Sequence, residues 1–118
     1  MGRCIQGRNL QEEALVRDIR DKVRAGKQPS WSELQTLSEL VAGNLPQFVE
    51  QLRRLYPSIS QSSFLICLLT RLCFSPKENA VALGISQQAI SNRRKRLNQL
   101  LFKRTTGTIK FDYSIRHL

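Results

Sequence analysis

SPKENAVALGISQQAISNRRKRLNQLLFKR, residues Ser75 to Arg104, is the stretch around which this 118-residue chain is organised. Ser75 offers an N-cap hydroxyl, and Pro76 fits the first helical position, where a missing N–H costs nothing. Ala80, Val81 and Leu83 give this first, short helix its apolar side. Gly84 permits the left-handed backbone that ends a helix and opens a sharp turn. Ile85 plugs the corner and Ser86 caps a second helix. On that helix Ala89, Ile90, Leu97, Leu100 and Leu101 recur at helical spacing on one side. Gln87, Gln88, Ser91, Asn92 and Lys95 fall on the other. A short helix, a glycine turn and a longer helix with an outward polar and basic face make the helix-turn-helix pattern.

The charge agrees with the pattern. From Arg71 to Arg104 there are eight basic residues and one acid, Glu78, so seven of the chain's ten net positive charges fall here. A duplex presents a phosphate charge about every 1.7 Å of its length and attracts such a surface whatever its sequence. The pI of about 10.4 likewise points to a polyanion. An anionic membrane surface would call for a basic amphipathic helix with aromatic anchors. The single Trp, Trp31, lies far from the basic run, and no apolar stretch reaches 18 residues, so no membrane contact by this chain is expected. The three cysteines, Cys4, Cys67 and Cys73, form no Cys-x-x-Cys and stand with a single histidine, His117. That argues against a disulfide framework or a zinc site and predicts Cys67 and Cys73 as reduced core residues of a cytoplasmic protein.

Upstream, residues 1–8 read as a disordered N-terminus. Asn9 to Ala25 is helical, with a thin stripe of Leu10, Leu15, Ile19 and Val23 and opposite charges four apart at Glu13–Arg17, Arg17–Asp21 and Asp18–Lys22. Gly26, Lys27 and Gln28 end it. Such a stripe either packs lightly on the body or pairs with a partner helix, which makes this segment the candidate dimer element; at little more than two heptads it supports only a monomer or a weak homodimer. Ser30 and Glu33 match a capping box that opens the next helix, whose apolar face is Trp31, Leu34, Leu37 and Val41, with Trp31 as a core anchor. Asn44 is placed to cap a third helix with Pro46 in its first turn and Phe48, Val49, Leu52, Leu55 and Tyr56 inward, stopped by Pro57. Ser58 or Ser60 then starts the most apolar segment, Phe64 to Phe74, the expected central buried helix. After Arg104, Thr105 to Thr108 reads as a loop and Ile109 to Phe111 as extended. Asp112 is placed to cap a last short helix anchored by Tyr113, Ile115 and Leu118.

Catalytic chemistry has little to draw on. Nine acids, mostly on exposed helical positions, and a histidine beside the terminus give no acid–base pair; there is no glycine-rich phosphate loop and no nucleophile motif. Neither an enzyme, a cofactor nor a metal site is expected.

Residues 59–104 resemble the C-terminal DNA-binding domain of LuxR-type bacterial transcription regulators. The family carries KEIA on its first helix, LxIS at the turn and TVK on the recognition helix. Here the matching residues are Lys77-Glu78-Asn79-Ala80, Leu83-Gly84-Ile85-Ser86 and Ala89-Ile90-Ser91, closing on Leu100-Leu101. The sequence departs from the pattern at Asn79, Ala89 and Ser91, and Arg93 stands where His is common. A second likeness, over residues 29–118, is to the tails of bacterial regulators that carry a tetratricopeptide or other sensor region upstream. It rests on Trp31, Pro46, Phe48, Leu52, Tyr56-Pro57, Ile66-Cys67, Phe74 to Lys77 and Ile115-Arg116. These resemblances imply the output end of a larger protein, with double-stranded DNA and RNA polymerase as partners.

The expected fold is therefore all-α, a helical bundle with a C-terminal LuxR-like helix-turn-helix. Residues 9–56 serve as a helical support or dimerisation region and residues 59–118 as the DNA-binding domain. The recognition helix spans about 86–103. Gln87, Gln88, Ser91, Asn92 and Lys95 are expected at base edges in the major groove. Lys77, Arg93, Arg94, Arg96, Lys103 and Arg104 are expected at phosphates, with Arg93 able to serve in either role. A promoter-binding domain like that of sigma factors is the alternative within DNA binding. A basic helical module that meets an acidic protein is the alternative outside it.

Overall fold

A computed structural model describes residues 13–103 and 110–118. Leu10, Arg104, Ile109, and the expected disordered start and Thr105–Thr108 loop lie outside the described residues. Among the described residues there are seven helices and no strand: α1 Ala14–Arg24, α2 Trp31–Asn44, α3 Pro46–Leu55, α4 Gln61–Arg71, α5 Pro76–Leu83, α6 Gln87–Phe102 and α7 Phe111–Arg116. The all-α expectation holds. No described helix is long and apolar enough to cross a membrane.

The centre is α4. Every residue from Phe64 to Arg71 is buried, as are Leu72 and Phe74 beyond its end. A helix apolar on all sides is stable only when enclosed, and α2, α5, α6 and α7 all pack against it. Its start is capped by Ser60, whose hydroxyl accepts from the Ser63 N–H at 3.2 Å. Its end is a Schellman stop: Cys73 N–H donates to Thr70 O and Phe74 N–H to Leu69 O, with Cys73 left-handed at φ 69°. Arg20 from α1 donates to Leu72 O at 2.8 Å and lies 4.3 Å over the Phe74 ring. A side chain of α1 thus caps the central helix.

One apolar core runs through both halves of the chain. Val16, Ile19 and Val23 of α1 join Leu37 and Val41 of α2, Phe48 and Leu52 of α3, and the interior of α4 to α7. Of the α1 stripe expected to offer a pairing surface, Ile19 and Val23 are therefore inside the molecule and Leu15 is half-buried. Lys22 reaches across to Glu33 of α2 at 2.7 Å rather than back to Asp18. The Ser30–Glu33 capping box forms as expected, with both reciprocal hydrogen bonds present.

Seven expectations are corrected. Asp112 does not cap the last helix: it is the second residue of α7, whose N-cap is Lys110. Leu55, expected inward on α3, is 40% exposed. Trp31 is 58% exposed; it stands at the first position of α2, off the side that Leu34, Leu37 and Val41 turn inward. Asn44 does not cap α3: it closes α2, donating to Leu40 O at 2.8 Å, and α3 starts at Pro46 without a side-chain cap. Phe111 is helical rather than extended, preceded by left-handed Lys110. Tyr113 is 62% exposed and stacks on His117, one turn on, along the outer side of α7. Cys73 is half-buried and disulfide-bonded rather than reduced, whereas Cys67 is free and buried, and burial pushes its thiol up to about 12.

These placements separate two large apolar residues by their effect on stability. Leu68→Ala, in the middle of α4, is expected to cost about 2–5 kcal/mol. Trp31→Ser is expected to cost less than about 1 kcal/mol, as an exposed substitution. Urea unfolding monitored by far-ultraviolet circular dichroism measures both, and equal losses would contradict the placement of Trp31.

Candidate nucleic-acid interface

The candidate interface is built by α5, the turn after it and α6. Ser75 opens α5 with a capping box: its hydroxyl accepts from Glu78 N–H at 3.1 Å, and Glu78 Oε1 accepts from Ser75 N–H at 2.8 Å. Glu78 Oε2 also accepts from Arg24 of α1 at 2.8 Å. Burial pushes the Glu78 carboxyl up, but the Ser75 N–H and the Arg24 guanidinium outweigh it and hold the group below its ordinary value of 4.5. The one acid of the basic segment is thus occupied by an ion pair with α1.

The turn is a second Schellman stop. Gly84 is left-handed at φ 67°, its N–H donates to Val81 O, and Ile85 N–H donates to Ala80 O. Two residues later α6 begins, capped by Ser86, whose hydroxyl accepts from Ala89 N–H at 3.0 Å. The helix runs 16 residues to Phe102 and ends on left-handed Lys103. Its inward side is Ile90, Arg94, Leu97, Asn98 and Leu101, all buried. Leu100, expected inward, is 38% exposed.

The outward side collects most of the expected base-reading residues. Gln87, Gln88, Asn92 and Lys95 are exposed, and Ser91 is half-buried at the edge. Gln88 Nε2 donates to Asn92 Oδ1 at 3.1 Å, one turn on. That bond leaves the Gln88 carbonyl oxygen and the Asn92 amide N–H groups for an outside partner. Arg96 and Lys103 are exposed at the flank, and Lys77 is exposed in the first turn of α5. Gln99, also exposed, extends the row one turn beyond Lys95; its spacing of seven from Asn92 is the signal by which it belongs there.

Two of the expected phosphate contacts face elsewhere. Arg94 is only 6% exposed. Its guanidinium donates to Asp112 Oδ1 at 2.6 Å and lies 5.0 Å over the Phe111 ring, so it latches α7 onto α6 and is withdrawn from the phosphate set. Arg93 is half-buried and donates to the Ser62 hydroxyl at the start of α4. Arg104 lies outside the described residues. A linear sequence marks Arg93-Arg94-Lys95-Arg96 as one basic run; the helix turns each residue about 100° from the last, so only part of the run faces out.

The chain matches no family model, no curated protein and no solved structure.

Arg94→Ala is expected to destabilise by about 1–3 kcal/mol, because it removes the buried latch between α6 and α7 and leaves half-buried Asp112 only the longer contact to Arg116 at 3.9 Å; thermal unfolding measures it. A second expectation concerns pH. Glu78 is held below its unfolded value, so its contribution is present above about 4.5 and is lost as pH falls through the lower, folded value. Glu78→Gln should therefore be less stable than wild type at neutral pH, and the gap should close in acid. Urea midpoints taken from about pH 7 to about pH 3 test this, and a constant gap would refute it.

Proposed function

We propose that this chain is the DNA-binding part of a sequence-specific bacterial transcription regulator, with α6 in the major groove and α5 across the flanking backbone. The observation that carries the reading is the outer face of α6. It presents Gln88, Asn92, Lys95, Arg96 and Gln99 with no acid anywhere on the helix, directly after a capped helix and a left-handed glycine turn. Asn92 and Gln88 have the donor and acceptor pair that suits adenine, and Lys95 suits the guanine acceptors. Lys77, Arg96 and Lys103 suit phosphates, which fix register without reading sequence. The likeness to LuxR-type regulators, RNA polymerase as a partner and the cytoplasm as compartment belong to the same proposal. A homodimer over two half-sites fits it as well, but Ile19 and Val23 of the α1 stripe are buried within the chain and are not free to pair.

Salt-dependent band shifts test the reading. Phosphate binding gives a log–log slope of about −0.9 per neutralised phosphate. Duplex affinity that is absent, or indifferent to salt, would refute it. Within a binding chain, Asn92→Ala is expected to relax preference at one base position by about 1–3 kcal/mol. Arg96→Ala is expected to weaken all duplexes alike and flatten the slope.

A further inference from the structure

We infer that the link between α1 and α2, which carries exposed Lys27, is a second contact to the same duplex, holding a phosphodiester strand against α5. This rests on the reading of α6 as a major-groove helix. Two adjoining hollows of about 410 and 470 Å³ share Gly26, Lys77 and Val81. Together they form a groove along the outer side of α5, from its cap at Ser75 to Gly84 and on to Gln87, the first residue of α6. One wall is α5 and the other is the end of α1 with the link that follows. A helix preceding a recognition helix crosses the sugar-phosphate backbone, so the strand flanking the major groove would lie in this groove with the link on its far side.

The link is rigidly mounted. Gly26 is left-handed at φ 79°, and Lys27 N–H donates to Lys22 O at 2.8 Å, fixing the backbone at one end. The capping box of Ser30 and Glu33 fixes it at the other. Between them, the Gln28 side chain lies on the Gly84 turn so closely that a Cβ at Gly84 would sit 2.7 Å from Gln28 Oε1. The charge in and beside the groove suits a phosphate: Lys77 lines both hollows, and Lys27 stands on the link between Gly26 and Gln28, which line them. Lys27 and Lys77 are exposed, and no described acid pairs with either. The acids on the neighbouring helix starts are occupied, Glu78 by Arg24 and Glu33 by Lys22.

Fluorescence anisotropy of a labelled random-sequence duplex, titrated with KCl, tests the inference. Lys27→Ala should lower affinity for every duplex and reduce the magnitude of the log–log slope by about 0.9, the loss of one phosphate contact. Lys27→Arg should retain the wild-type slope. Arg54→Ala removes the same charge from α3, outside the groove, and should also retain it. A Lys27→Ala slope equal to wild type, or an equal change in Arg54→Ala, overturns this inference alone. Failure of the wild-type chain to bind any duplex overturns the nucleic-acid reading and this inference with it.

Discussion

Enclosure of α4 is the constraint on which the rest of the molecule depends. Eight consecutive residues, Phe64 to Arg71, are removed from water, and burying a large aliphatic side chain contributes about 1.5–3 kcal/mol. A helix with no polar side cannot sit at a surface, so its neighbours are obliged to surround it. That obligation recruits α1 and α2 from one half of the chain and α5, α6 and α7 from the other. The same enclosure raises the Cys67 thiol to about 12 and keeps it inert. Arg20 then satisfies carbonyl groups at the end of α4, where the backbone has no helical partner left.

Polar groups inside this core determine which helices meet. Arg94 and Asp112 join α6 to α7, and Arg116 approaches the other carboxylate oxygen of Asp112 at 3.9 Å while donating to Thr70 O at 3.3 Å. A buried guanidinium without its carboxylate would be costly, so this pairing specifies where α7 docks. Asn79 is fully buried where the LuxR-type pattern has an aliphatic residue. Its Nδ2 donates to Thr70 Oγ1 at 3.4 Å, while its Oδ1 has no partner among the described residues. An unmatched buried acceptor costs about 1–3 kcal/mol, a local cost borne by the contact between α4 and α5.

The N-terminal segment is tied to the candidate interface at two points and to its supporting helix α4 at a third. Arg20 caps α4, Arg24 holds the carboxylate of the α5 capping box, and Gln28 covers the Gly84 turn. Each contact joins residues more than 50 apart in sequence. The angle between α5 and α6 is therefore braced from outside the two helices themselves, and residues before Trp31 take part in shaping the surface that the proposed duplex would meet.

Much of the fold was legible in the sequence because its signals are local. Hydroxyls at Ser30, Ser60, Ser75 and Ser86 cap the N–H groups three residues on, and left-handed glycines at Gly26 and Gly84 stop helices, whatever lies across the molecule. The unbroken apolar run of α4 could only be interior. The outward row of α6 followed from helical period alone for Gln88, Asn92 and Lys95. What the sequence left undecided was which of two available surroundings each amphipathic side chain would take. Arg94 and Arg96 are chemically identical and two residues apart, yet one is buried on Asp112 and the other is exposed, because α7 returns to cover one side of α6 only. Trp31 is apolar yet exposed, because the helices that cover α2 do so around Leu34, Leu37 and Val41. Local chemistry determines where a helix starts, stops and turns its apolar side; only packing between distant helices decides which charged residues remain for a partner.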